Sequence, residues 1–216
     1  MPARAFRQAV LPDLLTGTTS GAYTVPERMM PMRCRIASPA DAPRLAEIYA
    51  PYVANTAVTF ATVPLTPEDF LHKMESLYPF LVCEENGQVL GYAYAAAFRA
   101  KEAYRWDVEL SIYVDEAVHR RGVGSRLMRC LLGLLRAQGY KSAYSCITLP
   151  NEPSLCLHHS FGFTQVGLFE NAGYKLGKWR SVSWMRLPLG DFDGEPAEPL
   201  PVSQLDKNQI MHILER

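Results

Sequence analysis

Between Met32 and Leu187 the chain switches between two hydrophobic periods, one near two residues and one near 3.6, and each switch marks a change of element. The short period, with its β-branched and aromatic runs, predicts strands at 33–37, 80–83, 89–97, 108–114 and 142–147, with closing strands at 164–167 and 181–187. Asn86-Gly87 lies between two of these runs and is the dipeptide of a tight hairpin. The helical period is clearest where Leu127, Cys130, Leu131, Leu134 and Leu135 recur at i, i+3, i+4, i+7 and i+8, with Gly139 as the stop. Two other helices announce their starts through Ser38-Pro39-Ala40-Asp41, ahead of Leu45, Ile48, Tyr49 and Tyr52, and through Thr66-Pro67-Glu68-Asp69, ahead of a helix to about Leu77. Strands alternating with helices, plus an early hairpin, predict one mixed α/β domain over residues 32–187.

The flanks read differently. Residues 1–31 hold no sustained period and are expected to be an extension, disordered or upstream of the true start, since Met29, Met30 and Met32 stand just ahead of the first strand. Beyond Pro188 the chain turns Gly-, Pro- and acid-rich, so residues 188–216 are expected to form a tail with a short helix in 204–216. Lys+Arg and Asp+Glu number 22 each, and this zero net charge makes no case for nucleic acid or an anionic membrane as partner. No run approaches the ~20 apolar residues of a membrane span. The cysteines (Cys34, Cys83, Cys130, Cys146, Cys156) are odd in number and form no C-x-x-C pair. They argue against a disulfide framework or a zinc site, and for a cytoplasmic setting.

Candidate chemistry concentrates where a strand ending Ile112-Tyr113-Val114 runs through His119-Arg120-Arg121-Gly122-Val123-Gly124-Ser125 into the strongest helix. A Gly-rich strand-to-helix turn leaves backbone N–H groups without internal partners, and the helix dipole favours negative charge beside them. Gly122 and Gly124 let a phosphate approach, and Arg120 and Arg121 add cationic donors. The spacing is neither G-x-G-x-x-G nor G-x-x-x-x-G-K-[ST], which argues against a dinucleotide fold or a P-loop.

In this setting R-R-G-V-G resembles the signature of the GNAT superfamily of N-acetyltransferases, and within it the phosphinothricin and methionine sulfoximine acetyltransferases. The resemblance extends through Thr56 to Phe60, Gly91-Tyr92-Ala93-Tyr94, Ala103-Tyr104-Arg105-Trp106, Val108 to Val114, Leu149 to Ser154, Leu157-His158 and Lys175 to Trp179. It implies a mostly antiparallel mixed sheet flanked by helices, with splayed strands that hold acetyl-CoA, and transfer of acetyl to the α-amine of a small amino-acid-like acceptor. It implies that the amides of Arg120 to Ser125 hold the diphosphate, that Ile112, Tyr113 and Val114 pair with pantetheine like an added strand, and that Asn151 and Ser160 touch the coenzyme. Glu109 and His158 fall at the family's base positions, Phe60, Tyr94, Arg99, Asp107 and Val108 at the acceptor pocket, and a homodimer is implied. No tyrosine stands between Asn151 and Phe163, which leaves the general acid open.

The residues themselves leave alternatives. Period-two alternation is equally satisfied with Glu109 facing solvent, His158 alone reads as a packed histidine, and Arg99 as a solvated loop cation. His158 and His159 are adjacent on a helix and do not share a face, so no metal is expected. Asp107 stands where relatives commonly carry threonine and Ser181 where they often carry aspartate, which weighs against phosphinothricin itself. Other acceptors (a polyamine, an aminoglycoside, a protein N-terminus) and a non-catalytic acyl-CoA sensor are the competing readings.

Overall fold

The computed structural model describes residues 31–215; the expectations for residues 1–30 lie outside the described residues. Among the described residues, seven strands form one sheet in the order β1-β2-β3-β4-β5-β7-β6. They are β1 (Arg33–Ile36), β2 (Phe80–Glu85), β3 (Gln88–Ala97), β4 (Asp107–Val114), β5 (Ser142–Thr148), β6 (Thr164–Lys175) and β7 (Lys178–Pro188). Each neighbouring pair is antiparallel except β4 and β5, which are parallel. The expected mixed, mostly antiparallel sheet is therefore present.

Helices cover both faces. On one face α1 (Ala42–Asn55) and α2 (Pro67–Met74) bury Leu45, Tyr49 and Phe70 against Phe80, Val82 and Tyr92. On the other, α3 (Val123–Gln138) buries Leu127, Leu131, Leu134 and Leu135 completely against Leu81, Cys83, Val108 and Leu110. Each such leucine contributes about 1.5–3 kcal/mol of transfer free energy, so packing outweighs propensity in holding α3. Beside it lies α4 (Glu152–Ser160), started by the Asn151 side chain, which accepts from the Ser154 amide at 3.3 Å. The β2–β3 hairpin turns through Asn86 (φ 52°) and Gly87 (φ 77°), the paired left-handed geometry that an Asn-Gly turn accommodates.

The feature that positions the site is where pairing stops. β4 and β5 are in register only from Asp107–Ser142 to Glu109–Tyr144. Beyond that, β4 stays with β3 as far as Val114, and β5 stays with β7 as far as Thr148. Each strand keeps its outer partner and loses its inner one, so the middle of the sheet opens into a gap.

Three differences from expectation have physical causes. β6 and β7 run far beyond 164–167 and 181–187 and meet at a turn through Leu176-Gly177. Bulges at Gln165/Gly167 and Phe169/Gly173 break their alternation, which hides the strands from a period-two reading. The second helix stops at Met74, ahead of Leu77. The segment after Pro188 lies against the domain. Leu189 and Leu205 join the core, the Leu200 amide donates to the Gln138 carbonyl (2.8 Å), and α5 (Lys207–Leu214) packs on α3 with Ile213 against Gly133.

Candidate active site

A cavity of about 780 Å³ threads the gap. Its walls come from both faces of the sheet: Tyr52, Ser111 and Tyr113 from the α1 side, Val123, Gly124, Leu157 and His158 from the α3 and α4 side, with Ser145 and Cys146 between. Ile112, Val114, Arg120, Gly122, Ser125, Asn151 and Ser160 line it as well.

At its mouth, α3 begins without a side-chain cap on Gly122. Gly122 has φ +83°, strained for any residue with a Cβ, and a Cβ there would meet nothing within 4 Å. Arg120 also holds a positive φ of 64°. Left-handed residues just ahead of a helix gather backbone N–H groups into an anion-binding concavity, and the helix dipole adds to it. Arg121 points elsewhere, to an ion pair with Glu85 at 2.7 Å. Along the gap, the Tyr52 hydroxyl donates to the Val114 carbonyl (2.5 Å) and receives from His119 Nε2 (2.9 Å). The Tyr113 ring packs edge-on against Tyr49 and Tyr52, so only its backbone is available to a ligand in the gap.

Glu109, the last β4 residue paired with β5, lies half-buried on the α1–α2 side of the sheet. Burial pushes its carboxyl above the usual range, and Arg99 partly offsets this. The Arg99 guanidinium lies 4.1 Å over the Phe98 ring and 5.2 Å from that of Trp184, and Phe98 stacks on Tyr144 at 4.0 Å. Trp184 opposes Cys146 in register, and its buried indole N–H has no partner among the described residues. Glu109, Arg99 and three aromatic rings thus form one cluster where β4 and β5 part. The rings were not singled out from sequence as site residues, because Phe98 follows β3 while Tyr144 and Trp184 stand on β5 and β7, far apart along the chain.

His158 is 6% exposed, with burial pulling its pKa below the ordinary histidine value. It lines the gap from the opposite face to Glu109, with its Nε2 2.9 Å from Ser145 Oγ. Among the expected acceptor residues, Tyr94 stacks on Phe80 at 5.0 Å beneath Lys73, while Phe60 packs on Gly173 of β6. Val108 is fully buried in the core and offers only its backbone. Asp107, raised by burial, is held by Ser142 and faces Arg186, two residues along β4 from Glu109.

The gap suits a molecule with an anionic head and an extended, amide-bearing arm, and enzymes that move acetyl groups from coenzyme A are built around that need. Residues 34–184 match the acetyltransferase (GNAT) domain, and this chain belongs to that family of acetyltransferases. It is similar to the phosphinothricin N-acetyltransferase of Streptomyces viridochromogenes, 42% identical over 181 residues spanning 82% of this chain and 96% of that protein. The L-methionine sulfoximine/L-methionine sulfone acetyltransferase of Salmonella typhimurium is 34% identical over 164 residues, 74% of this chain and 96% of the relative. A phosphinothricin acetyltransferase from Sinorhizobium meliloti, solved with acetyl-CoA, superposes with a TM-score of 0.75 at 33% identity, covering 82% and 98% of the two chains.

Proposed function

We propose that this enzyme carries acetyl from acetyl-CoA to the α-amino group of a small amino-acid-like acceptor of the phosphinothricin, methionine sulfoximine or methionine sulfone type. The carrying observation is Glu109 beside Arg99, clustered with three aromatic rings where β4 and β5 part. The names of the relatives point to the same acceptor class. An amino acid brings one ammonium and one carboxylate, and this cluster holds one group complementary to each.

In this reading the amides of Arg120 to Ser125 bind the diphosphate, and the gap-facing backbone of Ile112 to Val114 pairs with pantetheine. A backbone N–H of the same strand polarises the thioester carbonyl; losing such a donor slows catalysis by about 10²–10³. Asn151 spends its side chain on the α4 cap and Ser160 its hydroxyl on the Leu157 carbonyl (2.7 Å), so both contribute surface rather than free polar groups. Arg99 forks onto the acceptor's carboxylate. Glu109 takes a proton from the ammonium, because only the free amine can attack a thioester. Tyr94 and Phe60 wall the acceptor site, and Asp107 supports its floor through Ser142.

We further infer a homodimer formed through the β6–β7 hairpin, where Val166, Leu168, Phe169, Tyr174 and Trp179 are exposed. The inferred setting is the cytoplasm, in keeping with free cysteines throughout the described residues.

The test is release of free CoA thiol from acetyl-CoA across a panel of amino acids, methionine sulfone and sulfoximine, phosphinothricin, polyamines and aminoglycosides. Small α-amino acids are expected to give the highest kcat/KM, and Glu109→Gln to lower it by about 10²–10⁴. A polyamine or aminoglycoside as best acceptor, or an undiminished Glu109→Gln enzyme, overturns this reading.

A further inference from the structure

We propose that Ser145 is the catalytic residue through which His158 acts, the two forming a proton relay into the inner end of the gap. This inference rests on the acetyl-transfer reading above and adds to it a group that the resemblance does not supply. His158 Nδ1 lies 2.7 Å from the Ser154 carbonyl, which can only accept, so Nδ1 carries the ring proton. Nε2 then holds a lone pair, and it lies 2.9 Å from Ser145 Oγ, which must donate to it. Phe163 packs edge-on against the ring with centroids 5.0 Å apart. Both ring nitrogens are therefore engaged, and the hydrogen-bonded route from the imidazole to the cavity passes through the Ser145 hydroxyl. Ser145 follows Tyr144, the last β5 residue paired to β4, so it stands where the strands part and lines the cavity there. Burial pulls the His158 pKa below the ordinary histidine value, so the neutral ring is the resting form.

The chemistry requires two proton acceptors. The ammonium loses one proton before attack and a second after it, while the departing sulfur gains one. Glu109, on one face of the sheet, takes the first and later yields it to solvent. Attack then forms the N–C bond and moves the carbonyl electron pair onto oxygen, leaving a second acidic N–H. That proton passes to Ser145 Oγ as the serine's own proton moves to His158 Nε2, giving an imidazolium still anchored on the Ser154 carbonyl. Collapse of the adduct breaks the C–S bond with its electron pair going to sulfur. The proton returns from Nε2 through Ser145 to sulfur, leaving the CoA thiol, the amide and a neutral imidazole. The relay thus supplies the general acid that no tyrosine between Asn151 and Phe163 provides.

Two measurements test this on the full-length enzyme. With the best acceptor of the panel, Ser145→Ala and His158→Ala are each expected to lower kcat by about 10², with the acetyl-CoA KM held within about twofold. The double variant should be no slower than the worse single one, because a relay fails as a unit. Ser145→Thr, which keeps the hydroxyl, should recover most of the rate. A Ser145→Ala enzyme at unaltered speed, or a double variant whose loss is the product of the two single losses, overturns the relay. Independently of any acceptor, ¹⁵N NMR of the histidine rings should find His158 in the Nδ1–H tautomer, and the Nε2–H tautomer overturns the relay. If no amine is acetylated, the acceptor reading fails, and the tautomer still decides for or against the serine–histidine link.

Discussion

In the proposed mechanism Glu109 has to be ionised to accept a proton, so activity is expected to fall as the pH drops through its pKa. Burial raises that pKa above the ordinary carboxylate value, which makes the carboxylate a stronger base, while the nearby Arg99 guanidinium holds it down. Removing the cation therefore pushes the pKa higher. Arg99→Ala is expected to move the acid limb of the kcat/KM profile to higher pH, and to raise the acceptor KM without changing that for acetyl-CoA. A limb that stays in place would mean that the guanidinium does not act on the carboxylate. The sequence supplied both residues, but not their proximity: ten positions separate them, and the intervening loop and the β3–β4 pairing bring them together.

At the scale of elements, one arginine ties β1 to the start of α1 and to β2. Arg35 donates to both Asp41 oxygens (2.7 and 2.8 Å) and to Glu84 (2.7 Å). Burial pushes both carboxyls up, but hydrogen bonds from Arg35, with Ser38 at Asp41 and Arg33 at Glu84, outweigh it and leave both below the usual range. Arg35→Met strips a partner from two buried carboxylates and is expected to cost about 3 kcal/mol in denaturant titration at neutral pH. Because the folded-state values are lowered, this contribution is present above the unfolded carboxylate pKa and fades as the pH falls through the folded ones. The gap between variant and parent should therefore narrow in acid. An undiminished gap at low pH would place the loss in packing of the arginine stem.

Across the whole molecule, the exposed hairpin is the clearest unpartnered surface. Trp179 is 62% exposed and Tyr174 63%, their rings packed against each other at the projecting end beyond β5. Trp179→Glu together with Leu168→Glu is expected to convert a dimer into monomer in sedimentation velocity. A parent protein that is already monomeric at micromolar concentration would end the dimer proposal. The opposite end is closed by the chain's own C-terminus: α5 lies so near α3 that a Cβ on Gly133 would come within 2.7 Å of Ile213.

What the sequence determined on its own was local: the periods of β3, β4 and α3, the caps at Ser38 and Thr66, the Asn86-Gly87 turn, and the uncapped glycine start of α3. Each depends on residues within a few positions of one another, so propensity and pattern reach them. The tertiary structure alone decided where β4 and β5 part, that Glu109 and His158 approach the gap from opposite faces, and that Ser145 and His158 meet on the cavity wall. It also decided that residues after Pro188 complete the core rather than trail from it. These outcomes depend on pairings between segments tens of residues apart, and no local period records which partner a strand keeps and which it loses.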